Sequence, residues 1–207
     1  MNKGLLVMGF GEHFEMVASQ FASRFANRRV ERLPLSAEGA MEPDEALTGS
    51  YTADQWDAFA AVGPDALNFP RLSLFFHLKL KGFRLESFVH PSAVVDPSVE
   101  IGQNSYVGES AVIQPRVRID YNSVIGARSV VGYGCRVGSS VWVGNGCIFG
   151  PGCAIGAHVV VGPGAVVADR VNVGKHSVLQ LARSYEKDVP EKTFHHNLFD
   201  RPVRIYV

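Results

Sequence analysis

Residues 89–178 read, in blocks of six, VHPSAV VDPSVE IGQNSY VGESAV IQPRVR IDYNSV IGARSV VGYGCR VGSSVW VGNGCI FGPGCA IGAHVV VGPGAV VADRVN VGKHSV. The first position is Val, Ile or Phe in all fifteen blocks, and the fifth is Ala, Val, Ser or Cys in all fifteen. The second position is Gly in ten of the fifteen. A fixed period held for this long without an insertion is the sequence signature of a solenoid.

Each column of the repeat has a physical reason. A large first residue can fill an interior shared by stacked coils, and a small fifth residue fits where the coil is narrow. Glycine at the second position, and Gly or Asn at the fourth, predicts positive φ angles at tight corners. Pro151-Gly152 and Pro163-Gly164 are typical of type II turns. Three hexads form one triangular coil, so the fifteen hexads predict five coils.

The rest of the composition excludes several classes of protein. The chain has 207 residues, of which 20 are Lys or Arg and 20 are Asp or Glu. A formal net charge of zero argues against nucleic acid or an anionic membrane as the main partner. There is no run of eighteen apolar residues and no segment typical of a secretory signal, so we expect no membrane span. Three cysteines suit a reducing compartment, and the expected localisation is cytoplasmic.

Residues 1–83 have the pattern of a small α/β unit, about half of a dinucleotide-binding fold. Strands are predicted at residues 3–8, 29–33, 56–62 and 84–88, with helices between them and therefore a parallel sheet. The first helix should bury one face and the second, starting at Pro70, another. The predicted buried residues are Phe14, Val17, Ala18, Phe21 and Phe25 in the first helix and Leu72, Phe75, Phe76 and Leu80 in the second. Residues 84–183 would be the solenoid domain, and residues 184–207 a tail that caps it.

The junction of these two parts resembles a known group of proteins. An α/β unit joined through residues 88–95 (FVHPSAVV) to hexads is similar to the hexapeptide-repeat nucleotide-sugar acetyltransferases of the sialic acid and bacillosamine pathways. Residues 9–13 (GFGEH) resemble that group's G-x-G-G-H phosphate turn, and residues 59–71 (FAAVGPDALNFPR) resemble its A-x-G-x-x-x-x-R stretch. The resemblance covers nearly the whole chain, and it implies a left-handed parallel β-helix.

The resemblance also implies a function and a site. The first domain would bind a nucleotide sugar, with Gly9, Gly11 and His13 in its phosphate turn. Acetyl-coenzyme A would lie along the solenoid between the subunits of a homotrimer. The candidate coenzyme-binding residues are Trp142, Gly150, Gly152, Pro163 and Gly164. The implied reaction is acetyl transfer to a sugar, in the assembly of a polysaccharide or glycan.

The expected catalytic position departs from that group's pattern. Tyr133 stands where the group has a catalytic His, Gly134 replaces the acid that would orient it, and Trp142 replaces a second His. A phenol is a poor general base near neutral pH, whereas acylation of a sugar hydroxyl needs one. A sugar amine loses its proton more easily, so its transfer can run by positioning and oxyanion stabilisation. We therefore expect N-acylation, with Tyr133 orienting the amine or donating to the thioester oxygen.

Other interpretations of these residues stay open. The departures also fit a non-catalytic trimeric relative, a scaffold or regulator, or an enzyme that uses a formyl or longer acyl donor. Tyr133 and Trp142 could be subunit contacts, with Trp142 and Val143 on an outward face. The G-x-G turn could be a plain tight turn, because Glu12 would repel a pyrophosphate.

The remaining histidines and cysteines are predicted to be structural. His158 and His176 are three hexads apart and should stack as solvated corner residues, so no metal site is expected. Cys135 and Cys153 are also three hexads apart and should be buried thiols, and not a disulfide. His195 and His196 are expected at the surface of the tail. Apolar residues of the tail should cover the last coil or pack on a neighbour: Leu198, Phe199, Val203, Ile205 and Tyr206.

Overall fold

A computed structural model of the chain describes residues 3–25, 27–43 and 47–206. The chain divides into two compact units, Met1–Ser87 and Phe88–Val207. Among the described residues, no helix has both the length and the apolar character that a membrane crossing requires.

The first unit is built on a three-stranded parallel sheet. Its strands are β1 (Gly4–Gly9), β2 (Val30–Pro34) and β3 (Trp56–Ala61), and β1 lies between the other two. Its helices are α1 (Gly11–Arg24), α2 (Ala37–Met41) and α3 (Phe69–Leu80), with a short 3-10 helix at Asp65–Asn68. The chain runs from β1 to one neighbour and then returns to the other side of β1. The strand order therefore reverses between β1 and β3, and such a reversal opens a crevice at the carboxyl ends of the strands.

The predicted buried face of α1 is confirmed except at Phe25, which is half-buried at the C-cap, and the predicted face of α3 is partly wrong. Phe14, Val17, Ala18 and Phe21 are buried as expected. In α3 the buried residues are Pro70, Arg71, Leu74, Phe75 and Leu78, whereas Phe76 is 47% exposed and Leu80 89% exposed. The face is rotated because a charged residue, Arg71, takes an inward position that an apolar pattern does not reveal.

The strand predicted at residues 84–88 is also wrong. Leu85 makes a single parallel bridge to Ala58, and no strand forms there within the described part of the unit. The sheet therefore has three strands, and the second unit starts at Phe88.

The second unit is a parallel β-helix with three faces made of two- or three-residue strands. Face 1 consists of β4 (Phe88–Val89), β7 (Tyr106–Val107), β10 (Val124–Ile125), β13 (Trp142–Val143), β16 (Val160–Val161), β19 (Val178–Leu179) and β21 (Thr193–His195), with β22 (Val203–Arg204) at its edge. Face 2 consists of β5 (Val94–Val95), β8 (Val112–Ile113), β11 (Val130–Val131), β14 (Ile148–Phe149), β17 (Val166–Val167) and β20 (Ser184–Tyr185). Face 3 consists of β6 (Glu100–Ile101), β9 (Arg118–Ile119), β12 (Arg136–Val137), β15 (Ala154–Ile155) and β18 (Asn172–Val173).

The register of the faces confirms that three hexads make one coil. Trp142 pairs with Val124 below it and with Val160 above it, each three hexads away. Residues of the first hexad position fill the core; Val107, Ile125, Val131 and Val161, for example, have no exposed surface. The predicted outward position of Val143 is wrong, because Val143 occupies this column and is 1% exposed.

The prediction of positive φ angles is confirmed for the fourth hexad position and wrong for the glycines at the second position. From the third hexad onward, the fourth position has a positive φ, 67° at Gly134 and 74° at Gly152, and even Arg116 has 61° there. Within residues 89–178, all of which the structure describes, no second-position glycine has a positive φ. Those glycines are needed because the coils approach closely: a Cβ at Gly132 would lie 2.6 Å from the Phe149 carbonyl oxygen of the next coil.

The helix is one coil longer than the five that the hexads predict. β19, β20 and a bridge between Val173 and Val189 continue all three faces after the repeat ends. The interior of this sixth coil is filled, at 0–6% exposure, by Leu179, Tyr185 and Val189. Leu179 and Tyr185 keep the six-residue spacing, and Val189 follows after four residues. The hexad count missed this coil because inward residues alone, without the corner glycines, define it.

The end of the chain covers only part of the last coil. β22 pairs antiparallel with β21, which satisfies one open edge of face 1. Leu198 is 79% exposed and Tyr206 88% exposed, so the prediction that they cover the coil is wrong for these two residues within this chain. His195, predicted at the surface, is 8% exposed, because it ends β21 and packs edge-on against Tyr185.

Candidate active site

Tyr133 lies at the corner where face 2 turns into face 3, between β11 and β12. Its backbone N–H donates to Gln114 Oε1 of the previous coil at 2.8 Å. Its carbonyl oxygen accepts from the Gly152 N–H of the following coil at 2.9 Å. The backbone of Tyr133 is thus fixed from both sides, while its side chain remains 46% exposed.

A guanidinium group contacts the Tyr133 hydroxyl. Arg116 Nη1 donates to Tyr133 Oη at 2.9 Å, and Arg116 Cζ lies 5.9 Å from the centre of the Tyr133 ring. Arg116 occupies the fourth position of its hexad, three hexads before Gly134. No sequence motif marks Arg116 as functional, although the period of three hexads stacks it on Gly134, the residue after Tyr133.

The structure brings together only some of the predicted coenzyme residues. Gly150 and Gly152 follow β14 and lie on the same corner as Tyr133, one coil further on. Pro163 and Gly164 lie on a different corner, where face 1 turns into face 2. Trp142 lies on face 1 and is half-buried. Within one chain, these residues therefore do not form a single groove.

The corner at Tyr133 offers a limited set of chemical groups. Gly134 has a φ of 67° and no side chain, so it supplies no carboxylate to orient a base. Tyr133 offers a hydroxyl, Arg116 a positive charge, and Gly134 an open backbone with nothing within 4 Å of where a side chain would begin. Such a corner can stabilise a carbonyl oxygen that gains negative charge, as happens in the transition state of an acyl transfer.

A second cluster lies in the first unit, at the carboxyl ends of the strands. Gly9 ends β1 opposite Ala61, and Gly11 begins α1 with a φ of 73°. Space is open where a Gly11 side chain would be, so a ligand can approach this backbone closely. The predicted turn is therefore present at the crevice between β1 and β3.

His13 and Arg71 are the charged or titratable groups buried at this crevice. Burial, and secondarily the positive charge of Arg71, lowers the pKa of His13 to about 3. His13 is therefore neutral near pH 7 and brings no positive charge to a phosphate. Burial also lowers the pKa of Arg71 to about 9, so Arg71 stays charged. Its Nη1 donates to the carbonyl oxygen of Val62 at 3.0 Å, which holds the loop after β3.

That loop contains backbone strain which the sequence did not reveal. Ala66, Leu67 and Asn68 have successive φ values of 43°, 54° and 66°. Non-glycine residues in the left-handed region cost about 1–3 kcal/mol each, and they cluster at ligand sites. None of the three is a glycine, so turn chemistry alone could not predict this conformation.

The predicted stacking of His158 on His176 and the predicted burial of the cysteines as free thiols are confirmed. The rings of His158 and His176 stack with centres 5.0 Å apart. Among the described residues, no group of three His, Cys, Asp or Glu side chains is arranged to hold a metal. Cys135, Cys147 and Cys153 are free and buried, and Cys135 Sγ donates to the Gly150 carbonyl at 3.1 Å.

Comparisons with known proteins agree with this fold. Residues 83–179 match the family described as the GMPPB C-terminal domain, which is just under half of the chain. A search of curated proteins found no match.

Solved structures match over almost the whole chain. The acetyltransferase domain of PglB from Neisseria gonorrhoeae is 24% identical with a TM-score of 0.81, and the match covers 93% of this chain and 96% of that one. PerB from Caulobacter crescentus, in complex with CoA and GDP-perosamine, is 23% identical with a TM-score of 0.78, covering 92% of each chain. WeeI from Acinetobacter baumannii is 18% identical with a TM-score of 0.80, covering 98% and 100%. The prediction of a small α/β unit followed in the sequence by a left-handed parallel β-helix is confirmed.

Proposed function

We propose that this chain is an acyltransferase that moves the acetyl group of acetyl-coenzyme A to the amino group of a nucleotide-linked sugar. The observation that carries the proposal is the match to PerB over 92% of both chains, because PerB holds CoA and GDP-perosamine, an amino-sugar nucleotide, in the same two-part architecture. A structure of the PglB acetyltransferase domain with acetyl-coenzyme A supports the choice of donor.

The nucleotide would bind in the first unit, in the crevice between β1 and β3. Gly11 leaves the backbone accessible there, Gly9 packs closely against Ala61 of β3, and the N-terminus of α1 favours negative charge. His13 would contribute at most a neutral hydrogen bond, because its pKa is about 3. The strained loop at residues 66–68 lies at the same edge of the sheet and supports a ligand site there.

The active form would be a homotrimer that associates through face 2. The outward residues of this face form a continuous aliphatic column, in register from coil to coil: Val94, Val112, Val130, Ile148 and Val166. Val94 is 65% exposed and Ile148 46% exposed. The corresponding residues of face 3 are mostly polar, with Glu100, Arg118, Arg136 and Asn172. The outward residues of face 1 are also apolar, but Tyr106, Val124 and Val160 are already buried within the chain, at 3–9% exposure. The apolar column of face 2 stays exposed, which supports burial of that face against another copy.

A threefold arrangement would also complete the site. Face 2 lies between the Tyr133 corner on one side and the Pro163–Gly164 corner on the other. When three copies turn the same face toward a common axis, one edge of that face approaches the opposite edge of the next copy. The coenzyme would then lie between Tyr133, Gly150 and Gly152 of one subunit and Pro163 and Gly164 of its neighbour.

The amine would react as a neutral nucleophile. A tyrosine in place of a histidine base favours an acceptor that loses its proton without help, which is the case for an amine and not for a hydroxyl. We accordingly propose N-acetylation. Three free buried cysteines and the use of acetyl-coenzyme A support a cytoplasmic location.

The test is a thiol-release assay with the purified protein. Acetyl-coenzyme A is mixed with UDP-, dTDP- and GDP-linked amino sugars, and the product mass is checked for one added acetyl group. Formyl and longer acyl donors form a second panel. Binding without turnover for any pair, or no binding at all, would favour the non-catalytic relative that Tyr133 and Gly134 also allow.

A further inference from the structure

Arg116 is the exposed side chain whose guanidinium contacts the Tyr133 hydroxyl. The contact joins Nη1 to Oη at 2.9 Å across neighbouring coils. A phenol oxygen can accept hydrogen bonds and can donate its one proton. Because Arg116 is only a donor, it occupies an acceptor site of the oxygen and leaves the phenol proton for another partner.

The charge of Arg116 selects what that partner can be. A guanidinium has no acceptor for the N–H groups of a neutral amine, whereas it attracts an oxygen that carries negative charge. Of the two roles that the sequence left open for Tyr133, the contact therefore favours donation to the thioester oxygen over binding of the amine. The anchored backbone of Tyr133, held by Gln114 Oε1 and the Gly152 N–H, keeps the hydroxyl at a fixed place on the corner.

We propose that Arg116 is a positioning residue which orients Tyr133 as the oxyanion donor of the acetyl transfer. This inference rests on the proposed function. The amine nitrogen attacks the thioester carbonyl carbon, a C–N bond forms, and the carbonyl π electrons move to the oxygen, which accepts from the Tyr133 hydroxyl. The intermediate collapses, the C–S bond breaks, and the proton lost from nitrogen goes to the departing thiolate. The products are the acetamido sugar and coenzyme A as its thiol.

The experiment is a double-mutant cycle with a matched control. We expect Tyr133→Phe to lower kcat about 100-fold, as removal of one oxyanion donor does in other acyl transfers. Arg116→Met, which keeps the stem beside the ring, should lower kcat about 10-fold with KM for acetyl-coenzyme A unchanged. The double variant should be no slower than Tyr133→Phe, because both changes remove one unit. Arg116→Lys should recover part of the rate. The control is Arg136→Met, which removes an exposed arginine on face 3 of the coil that contains Tyr133, and it should leave kcat and KM unchanged.

Each outcome separates this inference from the proposed function. If the wild type acetylates an amino sugar but Arg116→Met behaves like Arg136→Met, or if the two losses multiply in the double variant, Arg116 does not act through Tyr133. If KM rises and kcat does not fall, Arg116 binds the coenzyme instead. A wild type that neither turns over nor binds acetyl-coenzyme A in a titration overturns the proposed function, and the role of Arg116 with it.

Discussion

The apolar column on face 2 leads to the sharpest prediction about assembly. We consider Ile148→Asp, which puts a carboxylate in the middle of the column. Ile148 is 46% exposed in the single chain, and full burial of an aliphatic side chain is worth about 1.5–3 kcal/mol, so its contribution to association is about 1 kcal/mol per subunit. An unpaired carboxylate in such a contact costs about 3 kcal/mol or more per subunit. Over three subunits the loss is about 10 kcal/mol, or roughly seven orders of magnitude in the association constant.

Sedimentation velocity or light scattering would measure this effect directly. The wild type should have about three times the 22.5 kDa mass of one chain, and Ile148→Asp should sediment as a folded monomer. The matched control is Ala154→Asp, at the same hexad position on face 3, which should remain a trimer. The monomer should also lose acetyl transfer, although Tyr133 is untouched, because the second corner of the site would be missing. A monomeric wild type, or an Ile148→Asp protein that keeps the trimer mass, would refute the assignment of face 2.

Three further predictions follow from the coils, the crevice and the thiols. Gly132→Ala should lower the melting temperature far more than Gly134→Ala, since the first forces a Cβ to 2.6 Å from the next coil's backbone and the second only strains a φ of 67°, at about 1–2 kcal/mol. In the folded state the pKa of His13 is about 3, below that of an unfolded His, so the free energy of unfolding should fall by up to about 5 kcal/mol as the pH drops from about 6.5 toward 3. In a plot of the denaturant midpoint against pH, His13→Gln should reduce the slope between these two pH values. The three buried thiols should react with a thiol reagent only on unfolding, and rapid labelling of the native protein would contradict their placement in the core.

The architecture of the second unit was predictable because it depends on a period. Fifteen hexads in phase place every third hexad on the same face of neighbouring coils, and this alone predicted the stacking of His158 on His176 and the burial of Cys135 and Cys153. The sixth coil was harder to predict, because Leu179 and Tyr185 keep the six-residue spacing but Val189 does not, and the second-position glycines are missing.

The first unit was harder to predict because its special features are exceptions to local rules. Arg71 is charged and yet has no exposed surface, so an apolar pattern assigned the buried face of α3 to the wrong residues. The loop at residues 66–68 takes left-handed angles without a glycine. Both exceptions lie at the carboxyl edge of the sheet, where a ligand site would require groups that local propensity does not favour.

The face that we propose joins the subunits has a sequence signal that the pattern of core residues does not contain. The core columns repeat with every hexad, whereas the outward residues differ between the faces and repeat only with every third hexad. Taken at that longer period, the sixth hexad positions separate into three series: an aliphatic one from Val94 to Val166, a mostly polar one from Glu100 to Asn172, and a mixed aromatic and aliphatic one from Tyr106 to Val178. Trp142 belongs to the third series, but its neighbours Val124 and Val160 are already buried within the chain, whereas Val94 and Ile148 of the aliphatic series remain exposed. An interface between copies requires an exposed row of this kind on successive coils. The period of three hexads thus fixes the interior, the Arg116–Tyr133 contact and the aliphatic face through the same geometry.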